Sequence, residues 1–165
     1  MILTIWRHGE AGRAASDRER ELTPEGADDI GFGCQQFHNV CEARSIAHPT
    51  AILHRPWLRT TQSAEILAGA FSHAAIAPAA ALQPGSSTRE VDGALADLNA
   101  KPGEHVLLVS HQPLVSELID HYLGARGSVP ALTPGGMATL DLIEPAAGCA
   151  SLLFWALPPE FEAGL

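Results

Sequence analysis

Residues Ile2 to Trp6 form an apolar run broken only by Thr4, and the run discharges directly into Arg7-His8-Gly9. Such a run followed by a charged turn reads as a buried strand that delivers Arg7 and His8 to its carboxyl edge. That edge is where open α/β sheets hold their ligands. The same logic recurs a hundred residues later, where Val106-Leu107-Leu108-Val109 runs into Ser110-His111-Gln112-Pro113. Two buried strands thus run into two histidines, and both imidazoles should face the strand-edge crevice.

The remaining chain supplies the cover. Thr23-Pro24-Glu25 reads as an N-cap with proline in the first turn, opening a helix to about Val40 after a loop from Gly12 to Leu22. Ala51–His54 is a short strand, and Pro56 is expected to open a helix toward Phe71. Ile76–Leu82 is a weaker strand because Pro78 interrupts it. Ser87 and Glu90 have capping-box spacing ahead of Val91, Leu95 and Leu98. Pro113 is expected to start a helix that carries Leu114, Leu118 and Tyr122 on one face and ends at Gly124. Met137–Ile143 and Ser151–Leu157 read as two final strands around a Pro145–Gly148 turn. The expected fold is a single α/β domain over residues 1–157, a three-layer sandwich whose mostly parallel central sheet has helices on both faces. Residues 158–165, after Pro158-Pro159, are expected to be a C-terminal tail.

Composition narrows the partners. The 165 residues carry a formal charge of −9, with nine arginines and the single lysine Lys101 against nineteen acidic residues. No basic stretch exists, so neither nucleic acid nor an anionic membrane is expected as a partner. An acidic chain that binds phosphate must concentrate its few cations, and Arg7, Arg55 and Arg59 are the expected places. Cys34, Cys41 and Cys149 lack Cys-x-x-Cys spacing and read as ordinary thiols of a reducing compartment. The N-terminal run has neither a basic leader nor a cleavage site, and a cytoplasmic location is expected. Cysteine-based and aspartate-based phosphatase loops, a P-loop and a His-Glu-x-x-His zinc site are all missing from the sequence.

A neutral imidazole beside a guanidinium suits phosphoryl transfer: the cation holds the phosphoryl oxygens while a ring nitrogen attacks phosphorus. His8 is therefore the candidate nucleophile and Arg7 its cation, with Gly9 allowing close backbone approach beside the substrate. Arg59, in the first turn of a helix whose free amides also favour an anion, is a second cation. His111 is a candidate donor to the phosphoryl group, protonated or held so by the phosphate. Gln112 and Arg55 are candidate substrate contacts. Glu10, beside the triplet, either orients the loop or touches the leaving group. The other six histidines, His38 and His48 among them, read as ordinary structural side chains.

Taken in order, Arg7-His8-Gly9, Leu22-Thr23-Pro24-Glu25-Gly26, the stretch Arg55 to Ala64 and Ser110-His111 resemble the histidine phosphatase superfamily, also called phosphoglycerate mutase-like. The correspondence spans residues 2 to about 143. Short length and a sparse middle region look most like its SixA-type phosphohistidine phosphatases. Arg55 departs from the pattern, since a small serine usually precedes that proline; it is either an extra phosphate contact or points outward. The resemblance implies a phosphohydrolase with a phosphohistidine enzyme intermediate and Arg7, His8, Arg59 and His111 as catalytic residues. No cofactor and no metal are expected, because the arginines and His111 supply the positive charge that magnesium supplies elsewhere.

Larger members of the superfamily use an additional middle-region carboxylate as general acid, for which Glu90 and Asp92 are candidates here, although Glu90 already has a capping task. A site without an acid suits phosphohistidine, whose imidazole leaves more readily than an alkoxide. The expected partner is a phosphohistidine-bearing protein of the histidine-phosphotransfer type, with a small phosphorylated metabolite as the alternative substrate. A non-catalytic phosphohistidine-binding protein on the same fold is a further alternative.

Overall fold

The computed structural model describes residues 1–164 and contains six strands and four helices: β1 (Ile2–Arg7), α1 (Pro24–Arg44), β2 (Ala51–His54), α2 (Leu58–Ala70), β3 (Ala75–Pro78), α3 (Thr88–Asp97), β4 (His105–Ser110), α4 (Leu114–Leu123), β5 (Met137–Leu142) and β6 (Ala150–Ala156). The sheet order is β3-β2-β4-β1-β5-β6. The first four strands in chain order are mutually parallel, and β5 runs antiparallel to both β1 and β6. This is the expected sandwich with a mostly parallel sheet.

Alternation along the central strands builds two cores. Leu3 and Ile5 of β1 face Val91 and Leu95 of α3 and Val115, Leu118 and Tyr122 of α4. Trp6 faces the other way, onto Ile30, Cys34, Phe37 and Cys41 of α1 and Ala64 and Leu67 of α2. The four α1 residues recur at helical spacing, which explains why the helix runs beyond Val40 to Arg44: Cys41 is fully buried and extends the stripe by another turn. Ser45, in the left-handed conformation, then stops it. On the same face Thr4 Oγ1 lies 2.8 Å from both His105 Nε2 and Thr139 Oγ1, while His105 Nδ1 donates to Ala47 O at 2.6 Å. The buried polar groups of three adjacent strands are thus mutually satisfied.

Several boundaries differ from the sequence reading for local reasons. Pro56 does not open α2: Trp57 stays extended as the N-cap residue, and its carbonyl accepts from the Thr60 and Thr61 amides. Pro113 likewise sits at the N-cap of α4, not inside it. The expected strand Ile76–Leu82 is β3 followed by a 3-10 turn over Ala80–Leu82, because Pro78 ends the pairing on an edge strand. Within the Gly12–Leu22 loop, Asp17–Glu19 forms another 3-10 turn. The segment read as a tail packs back onto the domain: Phe161 is buried against α1, and Gly164 pairs with Trp155 of β6. Leu165, its last residue, lies outside the described residues. No described helix is long and apolar enough to cross a membrane.

Candidate active site

Three neighbouring parallel strands, β2, β4 and β1, end side by side. Arg7 and Ser110 are register partners at the ends of β1 and β4, so His8 and His111 leave the sheet at equivalent positions. With Arg55, which follows β2, they line a cleft of about 440 Å³ together with Glu10, Asp17, Arg20, Trp57, Arg59 and Gln112. Four arginines thus face two carboxylates in a chain whose net charge is −9. Cationic charge is concentrated where the sequence placed it.

His8 is 8 % exposed. Its Nδ1 lies 2.7 Å from the Gly9 carbonyl, which can only accept, so Nδ1 carries the proton and Nε2 a lone pair. Arg59 Nε donates to that Nε2 at 3.2 Å. Burial pushes the His8 pKa down to about 4; the Gly9 carbonyl pulls upward, and Arg59, Arg7 and Arg55 each add a lesser downward push. The ring is therefore neutral at physiological pH, with an unprotonated nitrogen held among guanidinium groups, as a nucleophile toward phosphorus requires.

The cations are distributed around it. Arg7 is anchored by Nη1 donating to Leu132 O at 2.8 Å, while its buried Nε has no partner. Arg55 points into the cleft and not outward, only 2 % exposed, with its guanidinium 3.2 Å from the centroid of the Trp57 ring and its Nε unpaired. Burial first, and then Arg59, lower its pKa to about 10, so it stays charged at neutral pH. Arg59 sits in the first turn of α2, and its Nη1 and Nη2 are directed at the Asp17 main-chain oxygen (2.6 Å) and Oδ2 (3.3 Å). Arg20 also donates to the Asp17 carboxylate, at 3.0 Å. Slight burial raises the Asp17 pKa, but these arginine contacts outweigh it and hold the carboxyl below its ordinary range. A carboxylate therefore rests on the guanidinium nitrogens that an incoming oxyanion would use.

His111 lies across the cleft, with Nδ1 3.0 Å from Ser110 Oγ. Burial, followed by Arg55 and Arg59, lowers its pKa to about 4. It is neutral before an anion arrives, and an anion that brings negative charge to the cleft favours its protonation.

Other candidates take different positions. Gly9 does not line the cleft: its amide donates to Ser63 Oγ, and a Cβ there would stand 2.7 Å from Gly26 O. Its role is packing the loop after β1 onto the start of α1. Gln112 lines the cleft, but its Nε2 donates to Ser116 Oγ and Leu132 O. Glu10 lies in the cleft wall; Glu90 and Asp92 do not. Glu90 closes the capping box, and Ser87's amide and hydroxyl hold its carboxyl below the usual range. Asp92 pairs with His121 at 2.9 Å. As candidate acids both are corrected by position: neither lines the cleft that holds His8 and His111. The sequence reading missed Asp17, Arg20 and Trp57. A carboxylate in a polar loop carries no periodic signal, and nothing local ties residue 17 to residue 59.

The motif residues hold these pieces in register. Thr23 Oγ1 caps α1 by accepting from Gly26 N at 2.9 Å, and a Cβ on Gly26 would collide with Glu10 O. Gln62 Oε1 accepts from Leu22 N at 2.8 Å, and Ser63 Oγ accepts from Gly9 N while donating to Arg59 O.

No family model and no curated protein sequence matches the chain. Solved structures do. A protein histidine phosphatase SixA complexed with tungstate superposes with a TM-score of 0.76 at 26 % identity, covering 96 % of this chain and 97 % of that one. A candidate SixA phosphohistidine phosphatase from Agrobacterium tumefaciens gives 0.77 at 20 % identity over 95 % and 98 %. A mycobacterial glucosyl-3-phosphoglycerate phosphatase gives 0.68 at 14 % identity over 92 % and 96 %, a likeness of fold alone. The chain has the histidine phosphatase fold, and by structure and by the order of its motifs it resembles that superfamily and, within it, the SixA phosphohistidine phosphatases.

Proposed function

We propose that the protein is a metal-independent phosphohydrolase in which His8 takes the phosphoryl group before water removes it. The observation that carries this reading is the His8 ring itself: neutral, with Nε2 unprotonated and in contact with Arg59 inside a cationic cleft. Arg7, Arg55 and Arg59 bind the non-bridging oxygens, whose charge is spread in the transition state. His111 donates to the same group once the phosphate has drawn a proton onto it. Nε2 attacks phosphorus as the leaving group departs. Water then attacks the phosphohistidine, forming phosphate and restoring the Nε2 lone pair.

Phosphohistidine on a phosphotransfer protein is the substrate this cleft supports best. Its two carboxylates are Glu10 and Asp17, and Asp17 is kept ionised by arginine, which leaves it unsuited to protonating an alkoxide. An imidazole leaving group needs less help. The superposition on SixA proteins supports the same choice, while that on a sugar-phosphate phosphatase is the ground for the alternative, a small-metabolite phosphomonoesterase. Nothing in this mechanism calls on a membrane or a nucleic acid, and a cytoplasmic setting fits its free thiols. The test compares kcat/KM for a phosphohistidine protein and for an unactivated sugar phosphate, with chelator present throughout. A clear preference for phosphohistidine is expected; efficient turnover of the sugar phosphate would overturn the substrate assignment, and strict dependence on added Mg²⁺ would overturn the mechanism.

A further inference from the structure

At the opposite end of α1 from the cleft, the structure gathers His38, Glu42 and His48, whose ligating atoms all lie within 4.8 Å of one another. His38 and Glu42 share a face of α1 at i, i+4 spacing. Because Ser45 ends the helix, the following loop returns His48 to that face. The two imidazole centroids are 4.6 Å apart. His48 Nε2 is shielded from solvent and makes no aligned hydrogen bond, although Glu42 Oε1 stands only 2.9 Å away. That 2.9 Å separation is an ion-pair distance, and an ion between the two atoms would need them to part only slightly, to the roughly 3.3 Å edge of a tetrahedral shell at zinc–nitrogen and zinc–oxygen bond lengths.

We propose that His38, Glu42 and His48 form a binding site for a single Zn²⁺ ion, with water completing the shell. Two imidazoles and one carboxylate suit a borderline divalent ion better than Ca²⁺ or Mg²⁺, which favour all-oxygen ligands. The site joins the end of α1 to the loop leading into β2, so the ion holds together a helix end otherwise closed by the Ser45 cap. Twelve residues of α1 separate Gly26, against the cleft loop, from His38, roughly 18 Å at the helical rise. The ion is therefore structural and stands apart from the phosphoryl chemistry.

The full chain, stripped with chelator, is titrated first with Co²⁺ as a spectroscopic probe and then with Zn²⁺. One equivalent of Co²⁺ should give the visible absorption of a four- or five-coordinate ion, be displaced by Zn²⁺, and leave a protein whose Tm rises on Zn²⁺ addition. His38→Ala and His48→Ala should each weaken Zn²⁺ binding by more than roughly 100-fold, the upper range for losing an outer-shell partner. Glu42→Gln, at an exposed position, provides a variant whose folding is not at risk and should also lose the Co²⁺ spectrum. Absence of a stoichiometric site, or undiminished binding in the folded histidine and Glu42 variants, would overturn the proposal.

Discussion

On the proposed mechanism, an incoming phosphate competes with Asp17 for Arg59. Asp17 engages Nη2 of Arg59 through its carboxylate and Nη1 through its main-chain oxygen. Removing the carboxylate charge with Asp17→Asn should therefore tighten binding of phosphate or tungstate. The carboxyl is about half exposed, so the gain is that of a surface ion pair, up to about 1 kcal/mol or roughly threefold to fivefold in Kd. Titration calorimetry checks it, and unchanged or weaker binding would show that the anion bypasses Arg59. His111 provides another test at this scale. With its pKa lowered to about 4 in the free protein, binding of a dianion at neutral pH should be accompanied by proton uptake. Calorimetry in two buffers of different ionisation enthalpy measures it; loss of uptake is expected in His111→Asn, and uptake retained there would assign the proton to another group.

At the scale of elements, the strands and helices were legible wherever an apolar period coincided with a cap. β1 and β4 announce themselves by apolar runs into histidine turns, the first broken only by Thr4, and α1 and α3 by Thr23 and by the Ser87–Glu90 box. The boundary errors are at Pro56, which satisfies turn and helix-start geometry equally well from sequence, and at Val40, beyond which the buried stripe carries α1 on to Arg44. Seven of the residues lining the cleft were readable: Arg7, His8, Arg59 and His111 because each lies at a strand end or helix start, and Glu10, Arg55 and Gln112 because they neighbour those positions. Asp17, Arg20 and the stacking of Trp57 under Arg55 depend on how a loop folds back over α2, which no local pattern encodes. The joint between the β1 loop and α1 is equally tertiary. Gly26→Ala would drive a Cβ into the Glu10 carbonyl, so Glu10 and its neighbours must move. The expected result is a loss of about 1–3 kcal/mol in denaturant unfolding, the range for forced overpacking, with a larger proportional loss of turnover because His8 shifts relative to Arg59. Wild-type turnover in this variant would show that the joint does not set the site.

At the scale of the whole molecule, the sheet that positions His8 should also make the fold acid-sensitive. His8, His105 and His111 all have folded pKa values lowered from 6.5 to about 4, chiefly by burial. The native state thus binds fewer protons than the unfolded chain between those values. The associated stability is fully present above pH 6.5, and it is lost progressively as pH falls toward about 4. His105, fully buried and hydrogen-bonded to Ala47 and near Thr4, should contribute on the order of 3 kcal/mol to that slope. Unfolding free energy measured from pH 7 to 4 should fall, and His105→Asn should flatten the curve while lowering its neutral-pH value. A slope unchanged by the substitution would contradict the assignment.

The central claim is that His8 forms a covalent bond to phosphorus. Brief reaction with a phosphohistidine protein followed by alkaline quench and peptide mass spectrometry should find acid-labile phosphate on His8, and His8→Ala should lose both label and turnover. Phosphate on another residue, or substantial turnover by folded His8→Ala, would contradict it.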